Sequence, residues 1–113
     1  MFKTKGLGEM EHLTPGEKLL LQRRRAGQKQ HEAAKEYGVA HSLYGQWERD
    51  AVGGIPEVII SEVMPHERCL LYRRRAKFTQ ARVAREMKIC RWWLNQMERG
   101  EQSCDELIWY WEC

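Results

Sequence analysis

The chain repeats itself at an offset of fifty residues without a gap, so that residues 14–50 (copy one) align with residues 64–100 (copy two). Such a duplication limits the fold, because the same element order has to be built twice from two divergent sequences. Of the 37 aligned positions, 14 are identical, and in copy one they are Pro15, Glu17, Leu20, Leu21, Arg23, Arg24, Arg25, Ala26, Gln30, Ala34, Glu36, Gln46, Glu48 and Arg49.

Each copy has the pattern of short helices joined by tight turns. In copy one, Thr14 and Glu17 are spaced as a capping box, and Pro15 occupies the first helical position, where a missing N–H group costs nothing. Gly27 and Gly38 are placed to end the first and second helices, because glycine readily adopts the left-handed conformation of a helix end. Copy two keeps the apolar spacing of copy one.

One more helix is expected after each copy. Ile55–Ile60 begins with a proline in its first turn, although its β-branched residues also suit a short strand. Ser103 and Glu106 are spaced as a capping box before the apolar end of the chain. We therefore predict an all-α protein with two tandem domains of four to five helices each, at 13–62 and 63–113, after a flexible arm at 1–12.

The positive charge is concentrated in copy two. Copy one has seven Lys and Arg against five Asp and Glu, a net charge of +2, and copy two has ten against three, a net charge of +7. The whole chain has a net charge of only +3. The composition of copy two is therefore typical of a surface that binds a polyanion. A basic helix face that is only exposed to solvent has the same composition.

Other classes of protein are not indicated. The chain has no apolar run of about eighteen residues and no signal-like start, so we expect a cytoplasmic protein without a membrane span. Its cysteines all fall in the second half without paired spacings, which argues against a metal or disulfide framework: Cys69, Cys90, Cys104 and Cys113. It contains no phosphate-binding glycine loop or nucleophile motif, so we expect neither an enzyme nor a cofactor.

Copy one resembles the helix-turn-helix domains of phage repressor and Cro proteins, the XRE-like family, through Leu13-Thr14-Pro15-Gly16-Glu17, Arg23, Gln30, Glu32, Ala34, Gly38-Val39 and Trp47-Glu48-Arg49. Copy two is similar to the same family through Arg73, Thr79-Gln80, Val83-Ala84, Ile89 and Met97-Glu98-Arg99-Gly100. The resemblance implies a sequence-specific regulator of transcription that binds double-stranded DNA, a repressor of the phage or mobile-element type with both recognition helices in one chain.

The resemblance also implies three roles for residues. Arg23 with Glu48, and Arg73 with Glu98, match a buried structural ion pair. Gln30 and Gln80 match a contact to a DNA phosphate. The outward face of the third helix matches the base-reading positions, and Asn, Gln and Arg are suited to read adenine and guanine; these positions are His41, Ser42, Gly45 and Gln46 in copy one, and Arg91, Trp92, Asn95 and Gln96 in copy two.

A second class of function also fits the sequence. Aromatic residues cluster at two places, and such a surface suits an antagonist that binds another protein; they are Trp92, Trp93, Trp109, Tyr110 and Trp111. The consecutive apolar residues of the tail exceed what one face of a terminal helix buries. They therefore predict a homodimer contact through Leu107, Ile108, Trp109 and Trp111.

Overall fold

A computed structural model describes residues 12–112 of the chain. Within this range the regular structure is entirely α-helical, which confirms the predicted all-α class. The chain divides into two compact units, of which the first is His12–Ser61 and the second begins at Glu62. The predicted arm at 1–12 lies outside the described residues except for His12. Among residues 12–112, no helix combines the length and apolarity that crossing a membrane requires.

The first unit contains three helices, α1 (Pro15–Arg25), α2 (Gln30–Tyr37) and α3 (His41–Glu48). The predicted capping box at the start of α1 is confirmed, because Thr14 Oγ1 accepts from the Glu17 amide at 3.1 Å and Glu17 Oε1 accepts from the Thr14 amide at 3.0 Å. Between α2 and α3, Gly38 has a φ of 69° and turns the chain sharply. The last two helices therefore form a helix-turn-helix.

The predicted helix at Ile55–Ile60 is wrong, because these residues form no regular secondary structure. Pro56 disfavours helical backbone at Ile55, and three consecutive β-branched residues lower the helix propensity further. Neighbouring side chains of the segment lie on opposite sides, since Val58 is buried and Ile59 is exposed to solvent. Val58 thereby packs into the core of the first unit, which also contains Leu19, Ala33, Ala34, Tyr44 and Trp47.

The second unit contains four helices, α4 (Pro65–Ala76), α5 (Gln80–Met87), α6 (Arg91–Glu98) and α7 (Asp105–Glu112). The first three begin fifty residues after α1, α2 and α3. α7 packs against α4. Among the described residues, the first unit therefore has three helices and the second has four. The prediction of four to five helices in each domain is wrong for the first unit. The buried residues of the second unit include Leu70, Leu71, Val83, Ala84, Leu94, Met97, Leu107 and Trp111.

α7 completes the core of the second unit. Leu107 and Trp111 are buried, and Trp111 stacks on Tyr72 with 6.0 Å between ring centroids. Burial, reinforced by a 2.9 Å hydrogen bond from its hydroxyl to Glu112, raises the pKa of Tyr72 to about 12. Two of the four residues predicted for a homodimer contact, Leu107 and Trp111, are therefore not available for it. Trp109 is 68% exposed.

Candidate nucleic-acid interface

A buried ion pair fixes the helix-turn-helix in each unit. Arg23 Nε lies 2.6 Å from Glu48 Oε2 in the first unit, and Arg73 Nε lies 2.7 Å from Glu98 Oε2 in the second. Both carboxylate side chains are only 1% exposed. The predicted structural pairs are confirmed. Because each pair joins the first helix of its unit to the end of the third, it sets where the third helix lies.

The same arginines also hold the turn before the second helix. Arg23 Nη1 donates to the Gln28 carbonyl oxygen at 3.0 Å, and Arg73 Nη1 donates to the Phe78 carbonyl oxygen at 3.1 Å. Each guanidinium therefore contacts both the carboxylate of the third helix and the backbone just before the second. Such multiple charge-assisted hydrogen bonds have a fixed direction, so they position the two helices relative to each other.

Gln30 and Gln80, the predicted phosphate contacts, extend these buried pairs. Gln30 Nε2 donates to Glu48 Oε1 at 2.9 Å, and Gln80 Nε2 donates to Glu98 Oε1 at 3.0 Å. Gln80 Nε2 also donates to Asn95 Oδ1 at 3.3 Å, which engages both hydrogens of that amide group. A direct contact from this amide group to a phosphate oxygen would have to replace one of these bonds. Gln80 therefore orients Asn95, whose own amide nitrogen remains a donor.

An open cleft of about 550 Å³ lies at the amino-terminal end of α5. Its lining residues are Arg73, Phe78, Thr79, Gln80, Ala81 and Arg91. The first amides of a helix have no partner within the helix, and they carry the positive end of its dipole. Thr79 caps α5 by accepting from the Arg82 amide at 3.0 Å. The exposed Arg91 adds a full positive charge, so this cleft is suited to an anion.

The predicted reading residues of the second unit share the outward face of α6. At 100° per residue, Trp92 lies roughly 170° around the helix from the centre of the buried stripe formed by Leu94, Met97 and Glu98. Asn95 and Gln96 flank it and are half-buried, whereas Arg91 and Trp92 are exposed. α6 therefore presents an arginine, an indole and two amide side chains on one surface.

The corresponding face of α3 in the first unit is poorer in side-chain donors. His41 and Ser42 are exposed and Gln46 is half-buried, but Gly45 is buried. A Cβ atom at Gly45 would lie 3.6 Å from Arg49 Nη1 and 3.7 Å from Gln30 Oε1. Glycine offers only backbone here, at the position where α6 has Asn95.

The amino-terminal ends of α2 and α5 differ in charge, which the sequence analysis did not identify. In α2, Glu32 Oε1 accepts from the Lys29 amide at 2.8 Å, so a carboxylate occupies the end of that helix. In α5 the aligned residues are Thr79, a neutral cap, and Arg82. The alignment of the two copies already shows this difference in charge, because Lys29 aligns with Thr79 and Glu32 aligns with Arg82.

Arg82 itself is partly engaged within the second unit. Its guanidinium carbon lies 3.8 Å from the centroid of the Phe78 ring, and its Nε lies 3.2 Å from Glu86 Oε2. Phe78 in turn packs against Trp111, with 5.7 Å between ring centroids. This stack keeps a positive group close to the start of α5 and ties it to the core that α7 completes.

Comparison of the chain with protein-family models, with curated proteins and with solved structures gives no match. The likeness to repressor and Cro proteins thus depends on the motif residues themselves. Within residues 12–112, no group of three or more His, Cys, Asp or Glu side chains is arranged to hold a metal ion.

Proposed function

We propose that the protein binds double-stranded DNA in a sequence-specific manner and regulates transcription as a repressor, with α6 entering a major groove. The observation that carries this proposal is the surface of the second unit on which Arg91, Trp92, Asn95 and Gln96 project beside the cleft at the start of α5. A major groove admits an α-helix, and amide and guanidinium groups match the hydrogen-bonding edges of adenine and guanine.

In this proposal, different parts of the surface bind phosphate and contact the bases. The cleft, with Arg91 and the first amides of α5, accepts a backbone phosphate and sets the position of α6. Asn95, oriented by its bond from Gln80, and Gln96 face the base edges. The two roles predict different mutational effects, because a phosphate contact changes affinity for all sequences and a base contact changes preference.

The two units contribute unequally in this proposal. Copy two has a net charge of +7, whereas residues 62–113 as a whole have ten Lys and Arg against eight Asp and Glu, because five of these acidic residues lie outside copy two. The second unit also has a neutral cap at the start of α5. The first unit has Glu32 at the start of α2 and Gly45 on the face of α3. A carboxylate there repels phosphate, so the first unit binds DNA more weakly.

Selection of the full chain on random duplex DNA, followed by sequencing, tests the proposal. It should return a motif. Gln96→Ala should weaken binding to that motif by about 1–3 kcal/mol through the loss of a bidentate base contact. Combining it with Arg91→Ala should add a loss of affinity for every sequence, because Arg91 contacts a phosphate. The matched control is His41→Ala with Gln46→Ala in the first unit, for which we expect a smaller loss. A selection that returns no motif would refute specific DNA binding, and equal losses would refute the inequality of the units.

The alternative function is an antagonist that binds another protein through its aromatic surface. Three exposed indoles favour it: Trp92 is 60% exposed, Trp93 37% and Trp109 68%. Trp109 lies on α7 and takes no part in the surface proposed for DNA, so it separates the two functions. Under the alternative, Trp109→Ser weakens binding of the chain to its protein partner, and selection on random duplex DNA yields no motif.

The same variant tests self-association. Leu107 and Trp111 belong to the core, so deleting the tail would damage the second unit, whereas Trp109→Ser leaves the core intact. Sedimentation velocity of the full chain should reveal a concentration-dependent dimer that this single change weakens, if Trp109 joins two chains. A chain that stays monomeric at high micromolar concentration excludes the dimer.

A further inference from the structure

The indole of Trp92 occupies an unusual position for so large an apolar group. It is 60% exposed, and it lies near the middle of the outward face of α6, almost opposite the buried stripe. Its neighbour Trp93 lies beside it, with 6.1 Å between ring centroids at an interplanar angle of 44°. The core of the second unit does not require Trp92, so its apolar surface is available to a ligand.

The direction of the side chain separates it from the phosphate site. Arg91, one residue earlier, lines the cleft at the start of α5. Trp92 is about 100° further around the helix axis. When the cleft is placed on a phosphate, Trp92 therefore points away from the DNA backbone, toward the floor of the groove, together with Asn95 and Gln96.

The floor of a major groove carries one apolar group, the C5-methyl of thymine. The other groups that distinguish the base pairs there are hydrogen-bond donors and acceptors. Wedging of an apolar side chain between bases occurs from the minor groove, which a helix seated as proposed does not enter. We propose that Trp92 contacts the C5-methyl of a thymine in the DNA site of α6 and thereby sets a preference for thymine over cytosine at that position.

This inference rests on the proposed function and names one group of the DNA, the C5-methyl of thymine, as a determinant of sequence preference. Ser42 takes the place of Trp92 in the first unit, so α3 has no equivalent apolar group. A preference that depends on the methyl group should therefore be confined to the DNA that α6 contacts. It should also depend on Trp92 and on no other exposed tryptophan.

Deoxyuridine differs from thymidine only in lacking this methyl group, so it isolates the contact. With the motif from random selection in hand, each thymine of the duplex is replaced singly by deoxyuridine, and the dissociation constant of the full chain is measured by fluorescence anisotropy. We expect one or two positions at which the loss of the methyl weakens binding about fourfold, from the burial of one methyl-sized group.

The variant Trp92→Ala completes the test. It should bind the thymine and deoxyuridine duplexes equally, while Trp109→Ala, which removes an indole of similar exposure from α7, should retain the full difference. Circular dichroism is used to check that both variants fold. If no position is sensitive to deoxyuridine, or if Trp92→Ala keeps the sensitivity, the inference is overturned and the proposed function stands. If random duplex DNA yields no motif, both fall.

Discussion

Removing the Glu98 carboxylate should unfold the second unit selectively. Glu98 accepts hydrogen bonds from Arg73 Nε at 2.7 Å, from Arg73 Nη2 at 3.1 Å and from Gln80 Nε2 at 3.0 Å. Glu98→Ala leaves the largely buried Arg73 guanidinium without its anion and deprives Gln80 of an acceptor. Breaking a buried ion pair from one side costs about 3–5 kcal/mol.

That cost is large for so small a unit. Small domains have a free energy of unfolding of about 0.05–0.15 kcal/mol per residue, which gives about 2.5–7.5 kcal/mol for roughly fifty residues. The loss of about 3–5 kcal/mol therefore takes much or all of the stability of the second unit. The first unit keeps its own pair between Arg23 and Glu48, so it should remain folded.

Chemical denaturation with two probes separates the units. The described tryptophan of the first unit is Trp47, whereas the second contains Trp92, Trp93, Trp109 and Trp111, so tryptophan fluorescence reports mainly the second. In Glu98→Ala the fluorescence transition should shift to low denaturant, and part of the helical circular dichroism should persist beyond it. Glu101→Ala, which removes an exposed carboxylate three residues later, is the control. A Glu98→Ala protein that unfolds at the same denaturant concentration as the parent would refute the reasoning.

Three further predictions concern stability and charge. Gly16→Ala should cost about 1–3 kcal/mol in thermal denaturation, because its Cβ would lie 2.5 Å from a carbonyl oxygen of α3, while Gly53→Ala, with nothing within 4 Å, should change stability by less than about 0.5 kcal/mol. Lys88→Gly should stabilise the second unit by about 1 kcal/mol, since Lys88 has a φ of 60° where the aligned residue is Gly38; an unchanged melting temperature would contradict this. Glu32→Gln should increase the affinity for DNA and steepen its dependence on salt, and titrations at several salt concentrations that coincide with those of the parent would contradict a role for this carboxylate.

Local signals and the repeat predicted most of the helices. The capping box at Thr14 and the turn at Gly38 depend on residues close in sequence, so the structure retains them. The segment at Ile55–Ile60 was mispredicted because its course is set by burial of Val58 in a core formed by residues far away in the chain. A proline in the first turn was a weaker signal than the β-branched residues after it.

The candidate site was predictable in its positions but not in its internal bonds. The helical period places Trp92, Asn95 and Gln96 on one face, and this needs the sequence alone. The two bonds of Gln80, to Glu98 and to Asn95, depend on how closely α5 approaches α6. Likewise, the burial of Leu107 and Trp111 depends on the docking of α7 on α4, which no periodicity within α7 specifies.

The differences between the copies include several residues of the surface proposed to bind DNA. The residues that hold each helix-turn-helix together are identical, because Arg23, Gln30 and Glu48 align with the same residue types fifty positions later and form the same bonds. Four positions on the surrounding surface differ as follows: Lys29 becomes Thr79, Glu32 becomes Arg82, His41 becomes Arg91 and Gly45 becomes Asn95. The last three changes replace a carboxylate, an imidazole and a bare backbone by an arginine, an arginine and an amide, which donate to anions or base edges, whereas the first removes a positive charge. These three changes support the proposal that the second unit is the one that binds DNA.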